Sequence, residues 1–306
     1  MKKLLFIIMT IMSITCQAHE GGNFIASNIL ENMKDGDKAA ILMVHFGTTY
    51  DDTRALTIDV INDKVKKTFT ELEVREAYTA RIVIRRLKER GIEKHNPIDA
   101  LLKLKAEGYT HILIQSSNII DGVEMEALRK DVASVEPFFK EVRIGTPLLY
   151  HVSDFEKVVD ILKKECPSKG EIVLVGHGTY TPSTASYAML DYMFKDKGAN
   201  NFHVGTVEGY PSFCEVVKQL KVNKAKQVTL VPFMFVAGDH ANNDIAGEWK
   251  DSLEIEDFKT DVDMKGLGEN TNIQDMFVDK IRFLIHHKMI DIVDKKKNYA
   301  AGAAAH

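Results

Sequence analysis

Cysteine is scarce in this chain, with three residues in 306, at positions 16, 166 and 214. Cys16 follows an N-terminal apolar run. Nothing in the sequence brings Cys166 and Cys214 together, so no disulfide framework is expected and both read as inert thiols. Positive charge is not in excess either. With 40 Lys and Arg against 44 Asp and Glu, the formal charge is -4, and the positive field on which nucleic-acid binding relies is missing. An anionic ligand must therefore be held by a local basic cluster. Long apolar runs are also absent, since the stretch from Leu4 to Ile14 is too short to cross a bilayer. There is no His-Glu-x-x-His segment, whose helical spacing would by itself place two imidazoles together.

What the N-terminus does carry is Lys2-Lys3, that apolar run, and Cys16-Gln17-Ala18. This reads as a signal peptide over residues 1–18, cleaved after Ala18, and implies export to the periplasm. The alternative is a lipoprotein anchored through Cys16, the one route by which a membrane would become a partner. Residues 19–38 are polar and read as a leader to the folded domain. Residues 291–306, from the Lys295-Lys296-Lys297 region to Ala-Gly-Ala-Ala-Ala-His, lack periodicity and read as a disordered tail.

Between these ends, a 45% hydrophobic composition suffices for well-formed cores in two domains or one large one. Apolar, β-branched runs predict strands over 39–46, 73–78, 110–116 and 141–145, and again over 171–176, 202–207, 227–235 and 259–264. Helical spacing fills the intervals, over 51–67, 81–90, from Pro97, 122–134, 153–165, 184–195, 211–222, 242–251 and 271–287. Such alternation implies an α/β fold with a parallel sheet in each half. The halves also resemble each other. Ile41 to Thr48 matches Ile172 to Thr179 in pattern, and with one gap Ile114 to Glu124 falls on Val231 to His240, bringing Glu124 opposite His240. Two similar lobes, 39–148 and 149–290, are expected to face each other across a cleft.

Three successive strands of the second half end in polar residues beside glycine: His177 in Gly176-His177-Gly178, Glu208 before Gly209, and His240 after Gly238-Asp239. In open α/β sheets ligands bind at the carboxyl ends of the strands. Two imidazoles and a carboxylate there suit a borderline divalent metal with coordination positions left open.

These segments, together with Phe46-Gly47-Thr48-Thr49-Tyr50, Pro147-Leu148-Leu149 and Gly266-Leu267-Gly268-Glu269-Asn270, resemble the class II tetrapyrrole chelatases, specifically the anaerobic sirohydrochlorin cobaltochelatases. The resemblance covers residues 39 to 290. It implies a two-lobed chelatase-like fold and a lyase that inserts a divalent metal, Co²⁺ with Fe²⁺ as the alternative, into sirohydrochlorin or a related tetrapyrrole. The metal is then a substrate, and no organic cofactor is expected. By the same resemblance His177, Glu208 and His240 are the metal ligands, His177 doubles as proton acceptor, and Glu124 handles protons or delivers metal. Glu124 equally suits a solvated first turn of its helix. Asp239 and Asp244 are candidates to orient His240, although helix capping explains either one.

The family's substrate carries many carboxylates, so cations are expected at the cleft. Arg54, Arg81, Arg85 and Arg86 are the candidates, with Phe46 and Tyr50 as apolar wall. His45 and Asn118 depart from the family pattern. An imidazole at position 45 suits an axial ligand to haem iron, and together with export it supports the alternative reading of a periplasmic or surface haem-binding protein for iron acquisition. Self-association is left open by the sequence.

Overall fold

The computed structural model describes residues 22–166 and 170–300. From β1 (Phe24–Ala26) the chain runs through β2 (Ala39–His45), β3 (Glu73–Tyr78), β4 (His111–Ser116) and β5 (Glu141–Ile144), and the last four form a parallel sheet of order β3-β2-β4-β5. It then repeats the arrangement with β6 (Glu171–Gly178), β7 (Phe202–Glu208), β8 (Gln227–Pro232) and β9 (Lys259–Val262), in the order β7-β6-β8-β9. Finally β10 (His287–Met289) pairs antiparallel with β1. The two parallel sheets share one topology, as the internal similarity of the sequence predicts.

Every residue of β2 is buried. A parallel strand covered by helices on both faces needs an unbroken apolar run, and Ala-Ala-Ile-Leu-Met-Val supplies one. In each sheet the chain leaves the first strand toward one side and returns to the other, so β2 and β4, and likewise β6 and β8, flank the point where the winding reverses. That point opens a crevice at the strands' carboxyl ends.

Several boundaries differ from those predicted. The helix expected over 51–67 breaks at Thr57 into Asp51–Leu56 and Ile58–Thr68. Thr57 leaves the helical region, and its hydroxyl donates to the Thr53 carbonyl. The strand expected to reach residue 235 stops at Pro232, which has no N–H to offer the ladder. The helix expected over 242–251 is a π-helix, Ala241–Trp249, continued by the α-helix Lys250–Ile255.

The leader is a correction. From Phe24 onward it belongs to the fold: β1 pairs with β10, Ile29 is fully buried, and the Ser27 and Ile29 N–H groups donate to the His286 and Ile285 carbonyls. The expected tail is in part the helix Ile292–Ala300. Residues 1–21, with the predicted signal peptide and Cys16, and residues 301–306 lie outside the described residues.

The division at residue 149 also needs correction, because the last long helix, Thr271–His286, crosses back and packs on β4 and on the helix Ile58–Thr68 of the first lobe. Buried Arg143 of β5 fastens it there, with Nη1 donating to the carbonyls of Ser27, Leu284, Ile285 and His287. Lys280 of the same helix is buried against Asp154, 2.8 Å away. A continuous apolar cluster joins Ile41 and Met43 of β2 to Ile172 and Leu174 of β6 through Phe277 and Ile281. Cys166 and Cys214 are both free thiols, and burial pushes the Cys166 thiol up to about 11.

Candidate active site

The two winding-reversal points face one cavity of about 330 Å³ between the lobes, large enough for a small-molecule site. The second lobe contributes His177 and Gly178 from the end of β6, Glu208 from the end of β7, and Phe233 to His240 from the segment after β8. The first lobe contributes Phe46 and Gly47 after β2, Ser117 and Asn118 after β4, Glu124, and Ile82 and Arg86 of the helix Arg81–Glu89. Gly178 lies at φ +87°, and a β-carbon there would sit 1.5 Å from the Glu208 carbonyl oxygen, so no side chain is tolerated where β6 and β7 end together.

His177 and His240 meet, with ring centroids 4.4 Å apart and planes at 88°. Each ring has an acceptor beside its Nδ1. His240 Nδ1 lies 2.7 Å from the Asp244 carboxylate and His177 Nδ1 lies 3.3 Å from the Gly178 carbonyl, and both partners only accept. Nδ1 of each ring donates to these acceptors, and Nε2 is the nitrogen left for a ligand. Asp244 comes within reach because it stands four residues after His240, at the start of the π-helix. Glu208 lines the same cavity, yet among the described residues no three His, Cys, Asp or Glu side chains cluster closely enough to hold an ion. The expected three-ligand site is thus a preassembled imidazole pair with a carboxylate at the same rim.

On the facing wall, Glu124 accepts a hydrogen bond of 3.1 Å from Thr79 Oγ1. It lines the same cavity as His240. Phe46, with 43% of its surface exposed, lines the cavity. Phe233 and Phe235 are buried in the core and also present surface to the cavity.

Other expectations fail. His45 is fully buried and both of its ring nitrogens are taken, by Ser117 Oγ at 2.9 Å and Asn62 Oδ1 at 3.0 Å. Burial lowers its pKa, with the Asn62 bond opposing, so the ring is held neutral and is not exposed for haem ligation. Arg54 is turned away from the cavity by Asp51 and Asp59. Arg85 is exposed and outside the lining: it stands two residues after buried Val83, about 200° around the helix. Arg86, about 60° from that buried face, reaches the cavity and lies 3.3 Å from Asp239. Arg81 pairs with Asp131 instead. Asp239 consequently faces Arg86 and Tyr50 rather than His240. Tyr50 stands outside the lining, and its hydrogen bond to Asp239 raises its pKa.

Sequence reasoning passed over Ser117, Ile82 and Tyr180, all in the lining. The Ile82 to Arg86 spacing of one helical turn was the available signal for that wall.

The family model described as "Cobalt chelatase (CbiK)" matches residues 39–286. The sirohydrochlorin cobaltochelatase of Salmonella typhimurium is 36% identical over 251 residues, spanning 79% of this chain and 94% of that protein. The sirohydrochlorin cobaltochelatase CbiKC of Nitratidesulfovibrio vulgaris is 29% identical over 254 residues, spanning 80% and 89%. Among solved structures, SirB from Bacillus subtilis with Fe³⁺ aligns at a TM-score of 0.59 and 15% identity, covering 81% of this chain and 96% of that one, a likeness of fold.

Proposed function

Given that the chain belongs to the cobalt chelatase family, we propose that it inserts Co²⁺ into sirohydrochlorin, with Fe²⁺ as the competing ion. The observation that carries this reading is the His177–His240 pair, two imidazoles with centroids 4.4 Å apart on one wall of an otherwise largely apolar cleft. Two neutral imidazoles hold a divalent ion while leaving positions for incoming pyrrole nitrogens, whereas four protein ligands would trap it. Glu208 at the rim supplies a carboxylate to the arriving ion.

Insertion breaks the ion's bonds to water and to imidazole, forms bonds to four nitrogens, and releases two pyrrolic protons. As the ion leaves His177, the freed Nε2 is the base for one proton. Glu124, on the facing wall, takes the other. Phe46, Ile82 and Tyr180 offer apolar surface to the macrocycle, and Arg86 meets its carboxylates.

The test is metal insertion itself. The purified chain is given metal-free sirohydrochlorin with Co²⁺ or Fe²⁺ without oxygen, and the absorbance spectrum is followed. Many turnovers are expected, abolished in His177→Ala. In His240→Ala, Co²⁺ affinity by calorimetry should fall at least about tenfold, since losing a ligand costs no less than losing its orienting partner. A wild-type protein that holds sirohydrochlorin without metallating it would overturn the reading. The N-terminal segment supports export, and mass spectrometry of the periplasmic fraction checks it: a mature chain starting at His19 is expected, whereas a lipid-modified Cys16 would mark the anchored form.

A further inference from the structure

A file of buried hydrogen bonds runs from the first lobe's surface to the cavity, and its direction is fixed at every step. Glu76 is paired with Lys94 and so accepts only. Asn62 must therefore present its Nδ2 to Glu76, at 2.9 Å, which leaves Oδ1 as an acceptor. His45 Nε2, 3.0 Å from that oxygen, must donate, so the proton of the neutral ring sits there and Nδ1 is bare. Ser117 Oγ, 2.9 Å from Nδ1, must then donate its only hydrogen inward. Ser117 lines the cavity, and its hydroxyl, with that hydrogen committed to His45, has lone pairs alone to offer a ligand. Ser117 is 4% exposed and follows β4, beside the winding-reversal point of the first lobe, and lines the same cavity as the imidazole pair of the second. Phe235 stacks on His45 at 5.9 Å, so the orienting ring is held by both lobes.

We propose that Ser117 is a substrate-contacting residue that accepts a hydrogen bond from a pyrrolic N–H of the metal-free macrocycle, and that His45 is the positioning residue that fixes this polarity. The inference rests on the chelatase reading and extends it to discrimination. A metal-free tetrapyrrole carries N–H groups at its centre, and the metallated product carries none. An acceptor without a hydrogen of its own favours the first and offers the second nothing, which lets product leave.

Metal-free sirohydrochlorin, its cobalt complex and Co²⁺ alone are titrated separately, without oxygen, against wild type, Ser117→Ala and His45→Phe. In Ser117→Ala, affinity for the metal-free macrocycle should fall about fivefold, the effect of one net hydrogen bond. Affinities for the cobalt complex and for Co²⁺ alone should not change. In His45→Phe the ring stack is kept and the Ser117 hydrogen is freed to turn outward, so the preference for the metal-free form should be lost in the same way. Nitrogen NMR of histidine-labelled wild type reads the polarity even where that variant fails to fold. A non-protonated Nδ1 at His45 is expected, with a signal that moves in Ser117→Ala. A protonated Nδ1, an equal loss for both macrocycles, or a loss confined to Co²⁺, which would assign the acceptor to metal-bound water, overturns the inference. If wild type metallates sirohydrochlorin and Ser117→Ala keeps the wild-type preference, this inference alone falls. A wild type that binds neither macrocycle overturns the chelatase reading with it.

Discussion

His240 is half exposed, and its ring is held by a hydrogen bond to Asp244 at 2.7 Å and by the edge contact with His177. A carboxylate behind a ligating imidazole fixes its tautomer and raises its basicity, so Asp244→Asn should weaken Co²⁺ binding by about ten- to a hundredfold. Asp239→Asn, which touches Arg86 and Tyr50 rather than the ring, should leave that affinity unchanged in the same calorimetric titration. The buried His45 makes the opposite kind of contribution, to stability. Burial holds its folded pKa below the ordinary histidine value of about 6.5, so the unfolded chain takes up its proton first on acidification. The stabilisation is complete above about pH 6.5 and is lost as pH falls from there through the folded value. Thermal melts of wild type from pH 7.5 down to about pH 5 should show this loss, and His45→Phe should show a flatter profile over the same window. His177 and His240 were legible as a pair because each follows an apolar strand run and a glycine, next to a winding reversal. His45 also ends a strand and was misread for that reason. Whether such a ring enters the cleft or the core depends on Asn62, seventeen residues away, which no local pattern reveals.

The alternation of strand and helix was legible almost throughout, because the central strands β2, β4, β6 and β8 are largely buried and need apolar runs that a helix period does not produce. The elements that escaped were those held by backbone or by distant partners. β1 and β10 have three residues each, and their pairing uses main-chain groups that any sequence carries. The π-helix after His240 obeys the same apolar spacing as an α-helix over so short a span, with Ala241, Ile245 and Trp249 buried. That the supposed leader belongs to the fold can be measured at Ile29, which is fully buried in the cluster shared by both lobes. Ile29→Ala should cost about 2 to 5 kcal/mol, as for other large buried aliphatic residues, and chemical denaturation should show it as a lower midpoint with unchanged slope. A change under about 0.5 kcal/mol, typical of surface sites, would return these residues to the status of a leader.

Across the whole molecule, the lobes meet at the mouth of the cleft through Arg86 of the first and Asp239 of the second, 3.3 Å apart. About half of each side chain is exposed, at 52% and 49%, so the pair contributes no more than about 1 kcal/mol and is readily exchanged. A macrocycle bearing carboxylates offers Arg86 an equivalent partner with bidentate geometry, while Asp239, carrying the same charge as those carboxylates, competes for the guanidinium. The two residues should therefore have opposite effects. Arg86→Ala should raise KM for sirohydrochlorin several-fold at low salt, with kcat little altered, because the interaction is made equally in ground and transition states. Asp239→Asn should lower KM, since it leaves Arg86 free for substrate. Both differences should shrink as ionic strength rises past about 0.15 M, where charges on an exposed rim are screened within about 8 Å. Steady-state kinetics at two salt concentrations read all of this. Parallel increases in KM in both variants would mean that the ion pair holds the lobes in their working arrangement and does not exchange with substrate.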